Sequence, residues 1–143
     1  MSVKLDISCD AKKTMARLSA MSKRSKNFTP VFNEARGMLE KANVENFTAN
    51  GLPSGGWDPR KRDYAWAIMR RTGRLFSSLA NLAGPPNTIN PMSAEFGTEV
   101  EYAKFHQYGT KFMPARRVVY DPPGFSRDLA SMAARYVSRG ETS

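Results

Sequence analysis

His106, the only histidine of the chain, is the residue best suited to acid–base chemistry. A histidine base acts on a nucleophile only when the two lie within hydrogen-bonding distance and a third group orients the imidazole. Ser77, Ser78 and Cys9 are the candidate nucleophiles, but no motif or spacing pairs any of them with the histidine. We therefore expect no enzymatic activity and interpret His106 as a hydrogen-bonded structural residue beside Tyr102.

Metal and phosphate chemistry find no support in the residue pattern. One cysteine and one histidine, far apart in the chain, do not form a ligand cluster. Gly55 and Gly56 are not followed by the lysine and hydroxyl residue of a phosphate-binding loop. Glu95, Glu99 and Glu101 alternate along a short stretch, which is typical of a solvated face. We expect no metal and no cofactor.

The length and net charge of the chain indicate the number of domains and the kind of partner to expect. The 143 residues are enough for one hydrophobic core, so we expect a single domain over 1–143. The net charge of +9, concentrated in the first half, favours a polyanionic neighbour such as nucleic acid or an acidic protein surface. No apolar run is long enough for a membrane span and no signal peptide is apparent. We expect a chain made in a cytoplasm with no membrane partner.

The first half is predicted to consist of a strand and two helices. Alternating residues 3–7 indicate the strand, and Asp10 is a suitable cap for the first helix. The second helix is expected to start at Thr29-Pro30 and to stop at Asn50-Gly51, forming the main wall of the core. The glycine- and proline-rich residues 49–63 that follow are predicted to be a flexible loop.

The second half is predicted to supply the sheet. Residues 64–71 suggest a short helix ending at Gly73. Residues 75–82 alternate as in a strand, and we expect them to pair antiparallel with a strand at 93–98. Residues 102–108 are expected to form one or two helical turns.

Glycine and proline also mark the boundaries of the last elements. Gly109 should end the short helix at 102–108, and Asp121 and Pro122 should begin a last helix. Residues 138–143 are polar and are expected to fray. The predicted fold class is α+β: a small antiparallel sheet of three to four strands packed against a long helix in the N-terminal half and a C-terminal helix.

A cluster of basic and aromatic residues supports an alternative function. Such a mixture can hold phosphates and stack bases, so a small non-specific nucleic-acid-binding module is the second hypothesis. Trp57 in this cluster has two interpretations, a displayed binding residue or an anchor that folds back on the body of the protein. The cluster consists of Arg60, Lys61, Arg62, Arg70, Arg71 and Arg74 around Trp57, Tyr64 and Trp66.

Four motifs in residues 57–116 together resemble a known family. They are WxP at 57–59, RTGxLxxS at 71–78, YAxxHQxG at 102–109 and PAR at 114–116. In this order they are similar to the tail completion proteins of tailed phages, also called virion morphogenesis or head-tail joining proteins. The sequence departs from the family pattern at Arg60, which replaces an apolar residue, and at Arg117, which replaces a second proline.

The resemblance implies a non-enzymatic virion protein of the tail or neck. Such a protein assembles as a ring, typically a hexamer, at the head-proximal end of the tail, where it contacts the tail tube protein and the head-tail connector proteins. Basic charge suits a position near packaged DNA. Arg116 is expected to fix its segment through bonds to backbone carbonyls or to a carboxylate. The residues predicted to form assembly interfaces are Trp57, Arg60, Arg74, His106, Tyr108, Pro114, Arg116 and Arg117.

Overall fold

The computed structural model of the chain describes residues 10–142, in which helices predominate. The predicted strand at 3–7 lies outside the described residues. A short 3-10 turn at Leu52–Ser54 lies between the second and third helices. In chain order the elements are α1 (Ala11–Arg24), α2 (Thr29–Thr48), α3 (Arg74–Ala80), β1 (Thr88–Ile89), β2 (Ala94–Glu95), α4 (Ala103–Tyr108) and α5 (Phe125–Arg139).

The helix boundaries follow local chemistry, and the predicted boundaries of the first two helices largely agree with the structure. The carboxylate of Asp10 accepts a hydrogen bond from the backbone N–H of Lys13 at 3.1 Å and caps α1. At the start of α2 the residue in the cap position is Phe28, and the amide of Thr29 donates to Asn27 Oδ1 at 3.0 Å, so the expected cap by the threonine side chain is wrong. Asn50 and Gly51 both have positive φ and end that helix as predicted.

The predicted three- to four-stranded sheet is wrong, because the described residues contain one sheet of two short strands. Thr88 pairs with Glu95 and Ile89 with Ala94 in an antiparallel ladder. Of the strand expected at 93–98, only the two residues of β2 are extended and paired. The α+β class stands, with a much smaller sheet than expected.

Residues 75–82 are not a strand. They overlap α3, whose buried residues Leu75 and Leu79 lie four positions apart. A spacing of four fits one face of a helix as well as one face of a strand, so alternation alone misassigned the segment.

Residues 64–71 also differ from the prediction, because they form turns and no helix. Met69 has a left-handed backbone with φ of 65°, which interrupts helical geometry. Gly73, also with positive φ, precedes α3 and does not end a helix. The last helix begins at Phe125 after a left-handed Gly124, three residues beyond the expected Pro122.

Helix α2 connects two separate hydrophobic clusters. The first cluster joins its C-terminal end to α3, α4 and the segment before α5, and consists of Phe47, Trp57, Leu75, Leu79, Val100, Ala103 and Val118. The second cluster joins its N-terminal end to α5 and centres on Val31, Ala35 and Met132. Since Val31 and Phe47 belong to one helix with a rise of about 1.5 Å per residue, the clusters are roughly 24 Å apart along it. The predicted role of this helix as the core wall is confirmed.

Candidate functional site

The sequence motifs at 57–59 and 114–116 meet at a backbone junction around Arg117. The carbonyl of Arg117 accepts three hydrogen bonds, from Trp57 Nε1 at 2.8 Å, Ser54 Oγ at 3.1 Å and Asn46 Nδ2 at 3.2 Å. Asn46 is fully buried on α2. A single carbonyl thus fastens the long helix and the loop to the segment before α5.

Arg116 completes this junction from the other side. Its side chain is buried, with 8% of its surface exposed. The guanidinium donates from Nε to the carbonyl of Asp58 at 2.9 Å and from Nη2 to that of Pro59 at 3.3 Å. The expectation that Arg116 fixes its segment through backbone carbonyls is confirmed, and the group it holds is the WxP motif.

Gln107 forms the third link and was not singled out from the sequence. Its Oε1 accepts hydrogen bonds from the amides of Val118 and Val119, both at 2.9 Å, while its Nε2 donates to the carbonyl of Val119 at 2.8 Å. The side chain therefore satisfies two consecutive backbone amides and one carbonyl in the bend at Val118 and Val119. Its position inside the YAxxHQxG motif was the one signal that could have identified it.

His106 lies beside this junction in a half-buried position. Its ring meets that of Tyr102 edge-on at 5.9 Å, and its backbone carbonyl accepts a bond from the amide of Arg116. Burial, and then the charge of Arg116, lower the pKa of the imidazole below its usual 6.5. The Nδ1 atom is buried without a hydrogen-bond partner among residues 10–142, so the expectation of a hydrogen-bonded histidine is wrong for this nitrogen.

Trp57 is an anchor and does not display its ring to solvent. The indole packs edge-on against Phe47 with ring centroids 5.2 Å apart, inside the first cluster. Of the two interpretations of Trp57 from the sequence, the anchor is therefore confirmed and the displayed binding residue is wrong. The tryptophan cannot stack on a nucleic-acid base without leaving the core.

The basic and aromatic residues after Trp57 form a compact group on the surface. Tyr64 and Trp66 stack with centroids 4.8 Å apart and an interplanar angle of 24°. The guanidinium of Arg60 lies over the tyrosine ring at 5.5 Å, and that of Arg71 over the tryptophan ring at 5.6 Å. Arg60 also donates to the carbonyl of Trp66 at 2.7 Å, which closes the loop on itself.

The predicted interface residues divide into two sets. Trp57, Arg60, His106 and Arg116 converge around the junction, whereas the remaining four are exposed outside it. The assembly-interface role of all eight residues stays a prediction. The exposed set consists of Arg74, Tyr108, Pro114 and the side chain of Arg117.

Two surface patches carry large apolar side chains that residues 10–142 leave exposed. On α1, Met15 is 66% exposed and Leu18 is also exposed, although the sequence pattern places both on the apolar face of the helix. We call this pair the α1 patch. Phe105, Tyr108 and Phe112, here called the α4 patch, project from α4 and from the turn after it, with Phe112 86% exposed.

Two further classes of site are not found in the described part of the chain. None of the helices within residues 10–142 is sufficiently long and apolar to cross a bilayer. No group of three or more potential metal ligands occurs there either.

Comparison with known proteins identifies the family. The model of the phage virion morphogenesis family matches residues 9–138, which is nearly the whole chain. The chain therefore belongs to the phage virion morphogenesis family, and its role is in the assembly of a phage virion. Comparisons with curated proteins and with solved structures gave no match.

Proposed function

We propose that this protein is a non-enzymatic ring-forming component of the phage neck, which completes the head-proximal end of the tail and joins it to the head connector. Six copies would form the ring. Its partners would be further copies of the chain, the tail tube protein and the connector proteins. The observation that carries the proposal is the presence of two separate apolar patches, exposed in the described part of a small virion assembly protein.

The two patches belong to different parts of the fold. Helix α1 packs against α5, which covers the second cluster at the N-terminal end of α2. Helix α4 contributes Ala103 to the first cluster at the other end of α2. Two distinct apolar patches on one chain are what a heterologous contact requires, since one patch of each copy can then meet the other patch of the next.

Such head-to-tail contacts close into a ring when the rotation between neighbours divides a full turn. Lys104 and Lys111 lie over the rings of Phe105 and Phe112 at 5.2 and 5.9 Å, so the α4 patch combines apolar surface with positive charge. The net charge of +9 would also suit a ring through which packaged DNA passes.

Within residues 10–142, the candidate nucleophile Ser78 and the candidate base His106 both take part in structural contacts. Ser78 Oγ is 2.8 Å from Thr98 Oγ1 and is also bonded to the carbonyl of Leu75. It is therefore engaged in local structure. His106 supports the junction through its backbone, where its carbonyl holds the amide of Arg116.

The proposal is tested by imaging virions and by substitutions in the α1 patch. A ring of this chain between head and tail is expected in assembled particles, and its absence from virions would refute the proposal. Met15→Glu should leave unjoined heads and tails, because a buried charge cannot be tolerated in an apolar contact.

Met92 provides a matched control for this substitution. It is 65% exposed, almost the same as Met15, but lies in the turn between the two strands and outside both patches. Met92→Glu should give joined particles in normal yield. Equal yields from the two variants would show that the α1 patch is not an assembly contact.

A further inference from the structure

A concave pocket lies between the loop after Trp57 and helix α4. Its volume is about 500 Å³, enough for one or two large side chains but small for a folded domain. We call it the arginine pocket and define it by Arg60, Arg71, Arg116, Tyr64, Trp66 and His106.

The arginine pocket concentrates positive charge without internal compensation. Arg60, Arg71 and Arg116 all line it, and no aspartate or glutamate does. The ion pair found within residues 10–142 joins Arg127 to Asp128, away from this site. Three guanidinium groups thus share one concave surface with no carboxylate within 4 Å of them in the described chain.

Several donors at this site have unused hydrogen-bonding capacity. Arg60 Nη2 is buried and has no partner among residues 10–142. Arg116 uses Nε and Nη2 for backbone carbonyls, which leaves Nη1 free of hydrogen bonds within the described residues. Arg71 lies over the ring of Trp66, and its guanidinium forms no hydrogen bond with residues 10–142. Guanidinium groups with free donors bind carboxylates strongly, because both groups are planar and can form paired hydrogen bonds.

The apolar and aromatic residues that line the arginine pocket favour a protein ligand over nucleic acid. Ile68 and Met69 add apolar wall beside Trp66, which suits an apolar side chain next to an acidic one. Single-stranded nucleic acid would need free aromatic faces, but Tyr64 and Trp66 already stack on each other and each has a guanidinium over it. The arginines also converge on one pocket and do not follow an extended groove, as phosphate contacts along a strand would require.

We propose that the arginine pocket binds an acidic segment of a partner protein, with an aspartate or glutamate carboxylate between Arg71 and Arg116 and an adjacent apolar side chain against the wall formed by Ile68 and Met69. This binding does not depend on ring formation, because every group involved belongs to one copy of the chain. It therefore extends the proposed function and can fail or succeed separately from it.

The test uses the purified full-length chain and two blocked pentapeptides, Gly-Glu-Phe-Glu-Gly and Gly-Gln-Phe-Gln-Gly. Calorimetric titration should show that the glutamate peptide binds at least about tenfold more tightly than the glutamine peptide, as expected for charge-assisted hydrogen bonds. Binding should also raise the pKa of His106, observable by NMR as the titration of the single histidine, because a carboxylate would offset the charge of Arg116.

Two substitutions with the same change of charge separate the pocket from general electrostatics. Arg71→Gln should weaken the glutamate peptide about tenfold, while Arg74→Gln should change its affinity by less than about twofold. Both side chains are exposed, but Arg74 does not line the pocket. Circular dichroism would verify that both variants remain folded.

Three results would overturn the proposal. The first is that the glutamate peptide binds no more tightly than the glutamine peptide, or that neither binds. The second is that Arg71→Gln and Arg74→Gln weaken binding of the glutamate peptide equally. The third is tighter binding of a short oligothymidine than of the glutamate peptide at the same ionic strength, which would identify the pocket as a nucleic-acid site.

Discussion

The side chain of Gln107 offers the sharpest test of how this fold is held together. Gln107→Ala removes the three hydrogen bonds to Val118 and Val119 without changing any charge. Val118 has 0% of its surface exposed, so its amide would remain buried without a partner. Val119 is exposed, and water can replace its two lost bonds at lower cost.

The expected loss of stability follows from this difference in burial. An unsatisfied buried amide costs about 2 kcal/mol, and each of the two exposed bonds contributes about 0.5 kcal/mol, which gives a total of about 3 kcal/mol. For a chain of this size such a loss lowers the Tm by about 10 °C.

Urea unfolding followed by circular dichroism measures the effect, at one protein concentration because self-association would alter apparent stability. Lys104→Ala is the matched control. It truncates a long exposed side chain on the same helix and removes a charge and an exposed contact with the ring of Phe105 but no hydrogen bond, and should cost less than about 0.5 kcal/mol. A loss below about 1 kcal/mol for Gln107→Ala would show that this link contributes little net stability.

Two further predictions concern backbone strain and pH. Gly51→Ala should destabilise the protein by well over the roughly 1 kcal/mol that a left-handed backbone costs, because the new methyl group would overlap the indole of Trp57. Gly73 has a similar φ but open space around it, so Gly73→Ala should cost only that roughly 1 kcal/mol of backbone strain. Equal losses of stability for the two variants in urea unfolding would contradict this. Because folding lowers the pKa of His106, the unfolded chain binds a proton more readily, so stability should decrease as pH falls through 6.5. His106→Gln should remove that part of the pH dependence, and an unchanged slope between about pH 7 and 5.5 would refute the assignment.

Helix α3 shows why a short segment can be misassigned from its sequence. Leu75 and Leu79 lie four positions apart, a spacing that marks a buried face in either a strand or a helix. Packing against Phe47 within the first cluster places both leucines on one helical face. Local periodicity could not distinguish these cases in so short a segment.

Helix α1 shows what a helical pattern leaves undecided. The sequence correctly predicts a helix that Asp10 caps, and the apolar face of such a helix commonly packs into a core. In the structure no residue of α1 is buried, and Met15 and Leu18 face outward. An amphipathic pattern reports that a helix has an apolar face, but the partner that covers the face is a property of the tertiary and quaternary structure.

Local interactions allowed the sequence by itself to determine several features of this protein. These are the caps and stops at Asp10 and Asn50-Gly51, the long α2, the end of α4 at Gly109 and the family, through motifs whose order is visible without coordinates. Tertiary structure alone decided that those motifs bind one another. Carbonyl groups of Arg117 and of the WxP loop receive bonds from side chains some sixty positions away, and no local pattern encodes such a distance.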